Sequence, residues 1–104
     1  MDILKDYRGS KIRLTEERKA HILEHPEMED MQTGIHDTLL NPQCVVQSAS
    51  DAGTNLYYRY YAKTAVRGKY LCVVVKIAED DMFVLTAYLT NKIKRGEILW
   101  EKKT

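Results

Sequence analysis

The sequence predicts an α+β fold: two N-terminal helices packed on an antiparallel sheet of about four strands. Three observations lead there. Apolar residues between Thr15 and Leu40 recur with helical spacing. From Cys44 onward the period drops to two. The stretch Ala78–Asp81 is short enough to join its flanking runs as an antiparallel hairpin.

Met1–Arg8 have no clear period, so residues 1–10 read as a loose lead-in punctuated by Gly9-Ser10. Lys11–Leu14 alternates like a short strand. Thr15 is a good N-cap, with Glu16 and Glu17 in the first turn, where acids complement the helix dipole. This first helix runs to about His25, because Pro26 disfavours a helical conformation in the residue before it. A second helix fits Asp30 to about Leu40, with Met31, Ile35, Thr38 and Leu39 along one side, and Asn41-Pro42 closes it. Cys44–Ser48, Leu56–Ala62, Tyr70–Ile77 and Met82–Thr90 are strands, rich in Tyr, Val, Leu and Thr. The tail, residues 91–104, carries Ile93, Ile98, Leu99 and Trp100 among lysines, and docks as a turn of helix or a last edge strand.

A length of 104 residues fits one domain, 1–104. The longest apolar run, Tyr70–Val75, falls far short of the roughly 20 residues a membrane span needs. Acids at both ends of Ile3-Leu4 exclude a secretory signal, and nothing points to an anchor. Cys44 and Cys72 have no metal-like spacing and sit in apolar stretches, as buried thiols of a reducing cytoplasm would. The net charge of +1 hides an asymmetry: six basic and ten acidic residues up to Asp51, ten basic and five acidic beyond it. No acid falls between Ala52 and Ala78, whereas Arg59, Lys63, Arg67, Lys69 and Lys76 do. The low overall charge argues against a dedicated high-affinity DNA binder. A local positive patch suits a phosphate-bearing substrate or an acidic protein, or is simply a solvated surface.

Strand alternation gives the expected hairpin two unlike faces. Leu71, Val73, Val75 and Ile77, joined by Phe83, Leu85, Ala87 and Leu89, form an apolar face to receive the helices. The other carries Tyr70, Cys72, Val74, Lys76, Val84, Thr86, Tyr88 and Thr90. Alternation leaves Arg59 with Tyr57 and Tyr61 or facing the core, and an unpartnered core arginine is costly, so it is assigned to the polar face. Arg59, Lys76, Thr86 and Tyr88 would then meet there.

Arg18, His21 and His25 share one stripe of the first helix. Histidine suits acid–base chemistry near neutral pH, and it equally suits capping a helix end or satisfying a buried polar group. His21–His25 also spells H-x-x-E-H, the inverted zinc-protease motif, but no third ligand stands out and no metal or cofactor is expected. The sheet-face group suits metal-independent RNA cleavage, in which a 2′-hydroxyl attacks the adjacent phosphorus. Guanidinium and ammonium groups stabilise the charge growing on the phosphoryl oxygens, while histidine or tyrosine moves protons. Tyr57, Tyr58, Tyr60, Tyr61 and Tyr70 offer stacking surfaces for unpaired bases; tyrosines and threonines are also simply good strand formers.

Several motifs carry a resemblance: Arg13-Leu14-Thr15 through Arg18-x-x-His21-Ile22-x-x-x-His25-Pro26-Glu27, Thr38-Leu39-x-x-Pro42, Tyr57-Tyr58-Arg59, Tyr70–Lys76 and Leu85–Thr90. Together, over about residues 11–100, they resemble small prophage- and plasmid-associated proteins of the barnase/EndoU/colicin/RelE-like nuclease superfamily. The resemblance implies helices packed on a four-stranded sheet, RNA cleavage on the open sheet face, and a toxin opposed by an acidic antitoxin. Carried over by position, it points to His21, Arg59, Lys76, Thr86 and Tyr88 as catalytic residues and to His25 in substrate binding; Arg18 from the helix stripe, Tyr58 from the tyrosines and Arg67 and Lys69 from the basic loop complete the expected substrate-binding set. Two departures stand against it. The helix carrying His21 should cover the apolar face while the site lies on the other, and RelE-like ribosome-dependent toxins are usually far more basic. The expected function is a metal-independent endoribonuclease, or alternatively a non-catalytic RNA- or protein-binding module on the same fold.

Overall fold

The fold begins with strands rather than helices. The computed structural model describes residues 1–65 and 67–103. Residue 66, in the expected basic loop, and residue 104, at the end of the expected tail, lie outside the described residues. Strand β1 (Asp2–Lys5) and β2 (Lys11–Leu14) form an antiparallel hairpin ahead of α1 (Glu16–Leu23). A 3₁₀ turn over Pro26–Met31 leads into α2 (Gln32–Leu40). Then come β3 (Cys44–Ser48), β4 (Thr54–Tyr61), β5 (Lys69–Ala78), β6 (Asp81–Thr90) and β7 (Gly96–Glu101).

Two N-terminal helices on about four antiparallel strands is therefore not the architecture. Among the described residues seven strands form one mixed sheet, in the order β1-β2-β6-β5-β4-β3-β7, and two of them precede both helices. A single parallel contact among these strands, Arg13 with Phe83, joins the hairpin to β6. The reason for the miss is physical. Residues 1–10 pair rather than dangle, but four residues with alternate exposure are too few to display a period. The tail does become an edge strand, β7, whose largely exposed residues give no in–out contrast.

Local chemistry accounts for the helices. The Thr15 side chain accepts the Arg18 backbone N–H at 3.2 Å and opens α1, as its N-cap position predicts. The helix ends at Leu23, two residues early, and the stretch beginning at Pro26 winds as a 3₁₀ turn before α2 starts. In α2, Gly34 lets the helix lie close on β5: a Cβ there would stand 3.2 Å from both the Leu71 and Met31 side chains.

The main core lies between the helices and one face of the sheet. It holds Ile12, Leu14, Ile22, Met28, Ile35, Leu39, Val45, Tyr57, Leu71, Val73, Val75 and Val84. Each large side chain buried here contributes about 1.5–3 kcal/mol. A bulge in β6 decides part of this list. Val74 pairs with Thr86 but Val75 pairs with Val84, so Leu85 is an extra residue. Val84, expected on the polar face, thereby enters the core. Leu85 packs on the opposite side, and Phe83 pairs with Lys76. The opposite face has a smaller core of Cys44, Val46, Leu56, Tyr58, Cys72 and Val74. To reach the far edge, the chain leaving β6 must pass β5, β4 and β3. It crosses this second face on the way, where the Lys94 backbone N–H donates to the Tyr58 hydroxyl at 3.0 Å.

The turn of the β1–β2 hairpin is tied to the middle of the sheet. Asp6 is buried, and its carboxylate accepts the Tyr57 hydroxyl at 2.7 Å and the backbone N–H groups of Arg8 and Ser10 at 3.0 and 2.9 Å. Burial, and then the bond to Asp6, push the Tyr57 phenol pKa upward, so it stays a donor at every physiological pH. Gly9 closes the turn with φ +82°, in the left-handed region that favours glycine. Tyr57→Phe should lower the unfolding free energy by about 1–3 kcal/mol, the cost of leaving a buried charged acceptor one donor short. Urea denaturation of wild type and variant at equal m-value measures it; an unchanged midpoint would show that the bond contributes nothing.

Candidate nucleic-acid interface

The five residues expected to be catalytic do not come together. Arg59 pairs with Leu71 across β4–β5 and so faces the helix layer, not the face of Thr86 and Tyr88. It escapes the expected cost of core burial because it lies at the margin, where Nη1 donates to the Asn41 carbonyl at 2.8 Å and the guanidinium sits 5.9 Å from the Tyr61 ring centroid. His21 and His25 are exposed on the helix layer, their rings 6.4 Å apart, with Glu24 and Glu27 beside them. Arg18 shares that layer. Lys76 and Thr86 do lie on the second face, but Lys76 is engaged with Asp51, Nζ to Oδ2 at 2.5 Å. Tyr88 points its hydroxyl inward. That atom is buried without a partner among the described residues, and burial raises the phenol pKa, leaving the proton unavailable near neutral pH. Among the described residues, no group of three His, Cys, Asp or Glu side chains is placed to hold a metal ion.

What the structure does gather is a tyrosine row beside cations. Even-numbered positions of β4 and β5 face the second side, so Tyr60 pairs with Tyr70 and Tyr58 with Cys72. The Tyr60 and Tyr70 rings meet edge to face at 5.4 Å, and Tyr70 meets Tyr58 likewise at 6.4 Å. The row grades from Tyr60, 47% exposed, to Tyr58, fully buried. Tyr58 therefore supports the row rather than stacking on a ligand. Gly68 makes room for the outermost ring, because a Cβ there would collide with the Tyr60 hydroxyl.

The cations come from two segments. The β4–β5 connection brings Lys63 and Arg67, and the β6–β7 crossover brings Lys92, Lys94 and Arg95. Neither segment contains an acid. Lys69 donates to the Asn91 side chain, which links the two. The Lys94 ammonium lies 5.8 Å from the Tyr88 ring centroid. Of the expected substrate-binding residues, Arg67 lies in the connection beside this surface and Tyr58 lies beneath it, whereas Lys69, opposite Tyr61, faces the helix side of the sheet with Arg18 and His25. The crossover cations were not singled out from the sequence, although the run Lys92-Ile93-Lys94-Arg95 was a legible signal; what it lacked was a position.

Comparison with protein-family models, curated proteins and solved structures finds no match to this chain. The superfamily resemblance rests on its motifs alone.

Three groups on this side have marked acid–base behaviour. The Cys72 thiol is pushed up to about 11 by burial, and burial also raises that of Cys44. Both stay protonated at neutral pH, so a thiol reagent should modify Cys72 far more slowly in native buffer than in denaturant. Equal rates would show that the second core opens freely. Asp51 is held down at about 2 by the Lys76 ammonium first, then by the Thr54 hydroxyl and the Gly53 N–H. Its folded pKa lies below the unfolded value near 3.9, so its contribution to stability is present above about pH 4 and is lost as pH falls toward 2. Asp51→Asn should therefore lower the urea midpoint at pH 5, and the gap to wild type should close by pH 2. A gap independent of pH would refute the linkage.

Proposed function

We propose that the protein binds single-stranded RNA through the tyrosine row and the cations around it, without cutting it. The observation that carries this reading is the half-exposed Tyr60, edge to face with Tyr70, beside two acid-free segments holding five cations. Exposed aromatic rings stack on unpaired bases irrespective of sequence, while lysine and arginine track the phosphates. The endoribonuclease reading keeps the motif set in its support, but its proposed general acid–base His21 and its phosphate ligand Arg59 stand across the sheet from Lys76, Thr86 and Tyr88. An acidic partner protein, of the antitoxin kind the resemblance implies, would meet the same cations. The two free thiols suit a reducing cytoplasm. No helix among the described residues is long and apolar enough to cross a membrane.

Fluorescence anisotropy with a labelled single-stranded RNA tests the reading. Tyr60→Ala should weaken binding by roughly 5- to 150-fold, the range for losing one stacking platform of about 1–3 kcal/mol. Replacing Lys92, Lys94 and Arg95 together with alanine should reduce the magnitude of the slope of log K against log salt by about 2. Binding unaffected by either change would place RNA elsewhere. Cleavage of the RNA in EDTA would restore the nuclease.

A further inference from the structure

On the other side of the sheet, the β1–β2 turn, the end of α2 and strand β7 enclose a cleft of about 350 Å³ lined by Tyr7, Leu40, Asn41, Pro42, Trp100 and Lys102. It lies outside the tyrosine row, and nothing in the proposed function uses it. We infer that this cleft binds a nucleotide: a nucleobase held between its aromatic and apolar walls, with a phosphate at the Lys102 ammonium.

Each part of the cleft matches a part of that ligand. Trp100 and Tyr7 pack at a centroid distance of 4.8 Å with their planes tilted by 36°, and both remain partly exposed. They give an aromatic wall on which a planar ring can stack. Leu40, 37% exposed, and Pro42 form the apolar side opposite a polar rim. The Asn41 side-chain amide makes no hydrogen bond among the described residues, although its backbone is anchored at both ends. Its N–H donates to the Asp37 carbonyl at 2.8 Å, and its carbonyl accepts Arg59. An anchored amide with free donors and a free acceptor matches the edge of a base.

Charge at the mouth is positive. Lys102 is set in place by its backbone N–H, which donates to the Gln43 carbonyl at 2.8 Å, and its ammonium has no carboxylate partner among the described residues. The Arg8 guanidinium, 5.5 Å from the Tyr7 ring centroid on the turn side, is paired with the Asp6 carboxylate at 3.8 Å, which leaves Lys102 as the cation of the cleft. A planar ring with a polar edge and a phosphate is the ligand class that uses all of these groups at once. The volume is at the small end for ligand sites, which suits one nucleotide and not a dinucleotide.

Trp100 is the sole tryptophan, so its fluorescence reports on the cleft directly. Titration with AMP should change that emission saturably, with a dissociation constant between about 10 μM and 1 mM. Adenosine and inorganic phosphate alone should each bind about tenfold more weakly or not at all, since each supplies half of the contacts. Lys102→Ala and Asn41→Ala, both at exposed positions, should each weaken AMP by about tenfold without moving the thermal midpoint. Tyr60→Ala, which removes the stacking platform of the other face, should leave AMP binding unchanged. A 5′-phosphorylated pentanucleotide and its unphosphorylated twin separate the sources. Tight binding of the phosphorylated strand assigns a strand terminus to the cleft, and AMP binding alone assigns a free nucleotide. No saturable change with any of these probes overturns the inference, as does AMP binding that ignores Lys102 and Asn41 or disappears with Tyr60→Ala.

Discussion

A buried carboxylate organises this fold. Asp6 lies in a tight turn between two four-residue strands, yet it accepts the hydroxyl of Tyr57 from β4, three strands away from β2 in the sheet order. A charge withdrawn from water is tolerable only when its oxygens are satisfied, and here a phenol and two backbone N–H groups satisfy them. The hairpin turn is thereby drawn over the helix-side core, and Tyr7 is carried against Tyr57 and Trp100. Trp100 belongs to the opposite edge strand. The turn after the first strand and the last strand of the chain thus meet above the same core, and the cleft between them exists because Asp6 brings the turn there.

The sheet then has two working sides with different covers. Helices bury one side, where Tyr57, Leu71, Val73 and Val75 are fully enclosed. Among the described residues, the second side is covered by the crossover, a single stretch of chain rich in lysine. Six buried residues suffice for a small core beneath it, and the tyrosines at its margin grade outward into solvent. Gly96 permits the close approach at the end of the crossover, since a Cβ there would stand 2.2 Å from the Gln47 carbonyl oxygen. Charge follows the same division. The helix layer carries most of the acids of the first half of the chain, and the crossover and the β4–β5 connection carry the cations.

Several elements were legible in the residues themselves. The Thr15 cap, the strands β2 to β6 and the closure of α2 near Asn41 depend on interactions a few residues long, which local chemistry dictates. The inward alternation of Leu71, Val73 and Val75 follows from the period of a strand. Placing Thr86 and Tyr88 on one face also succeeded, because both lie on the C-terminal side of the bulge. Val84, Leu85 and Phe83 lie at it or before it, and one inserted residue reverses every side chain from there to the strand end. Nothing in Met82–Thr90 announces where that residue falls, since Phe, Val and Leu fit either face.

What the sequence by itself determined was the order of local conformations from Thr15 to Thr90, the apolar face of β5 that receives the helices and the charge asymmetry between the halves. Only the tertiary structure decided which side chains share a site. Strand order is not written in any local period, because it follows from which edges can pair once the core has formed; β1, β2 and β7 took outer positions that no window of residues reveals. Arg59 shows the consequence: its alternation with Tyr57 was readable, but its side depended on the Asn41 carbonyl at the end of α2, which only the packed helix supplies. Lys92, Lys94 and Arg95 show the converse. Their charge was plain in the chain, and the path of the crossover over Tyr58 and Tyr88 placed them beside the tyrosine row.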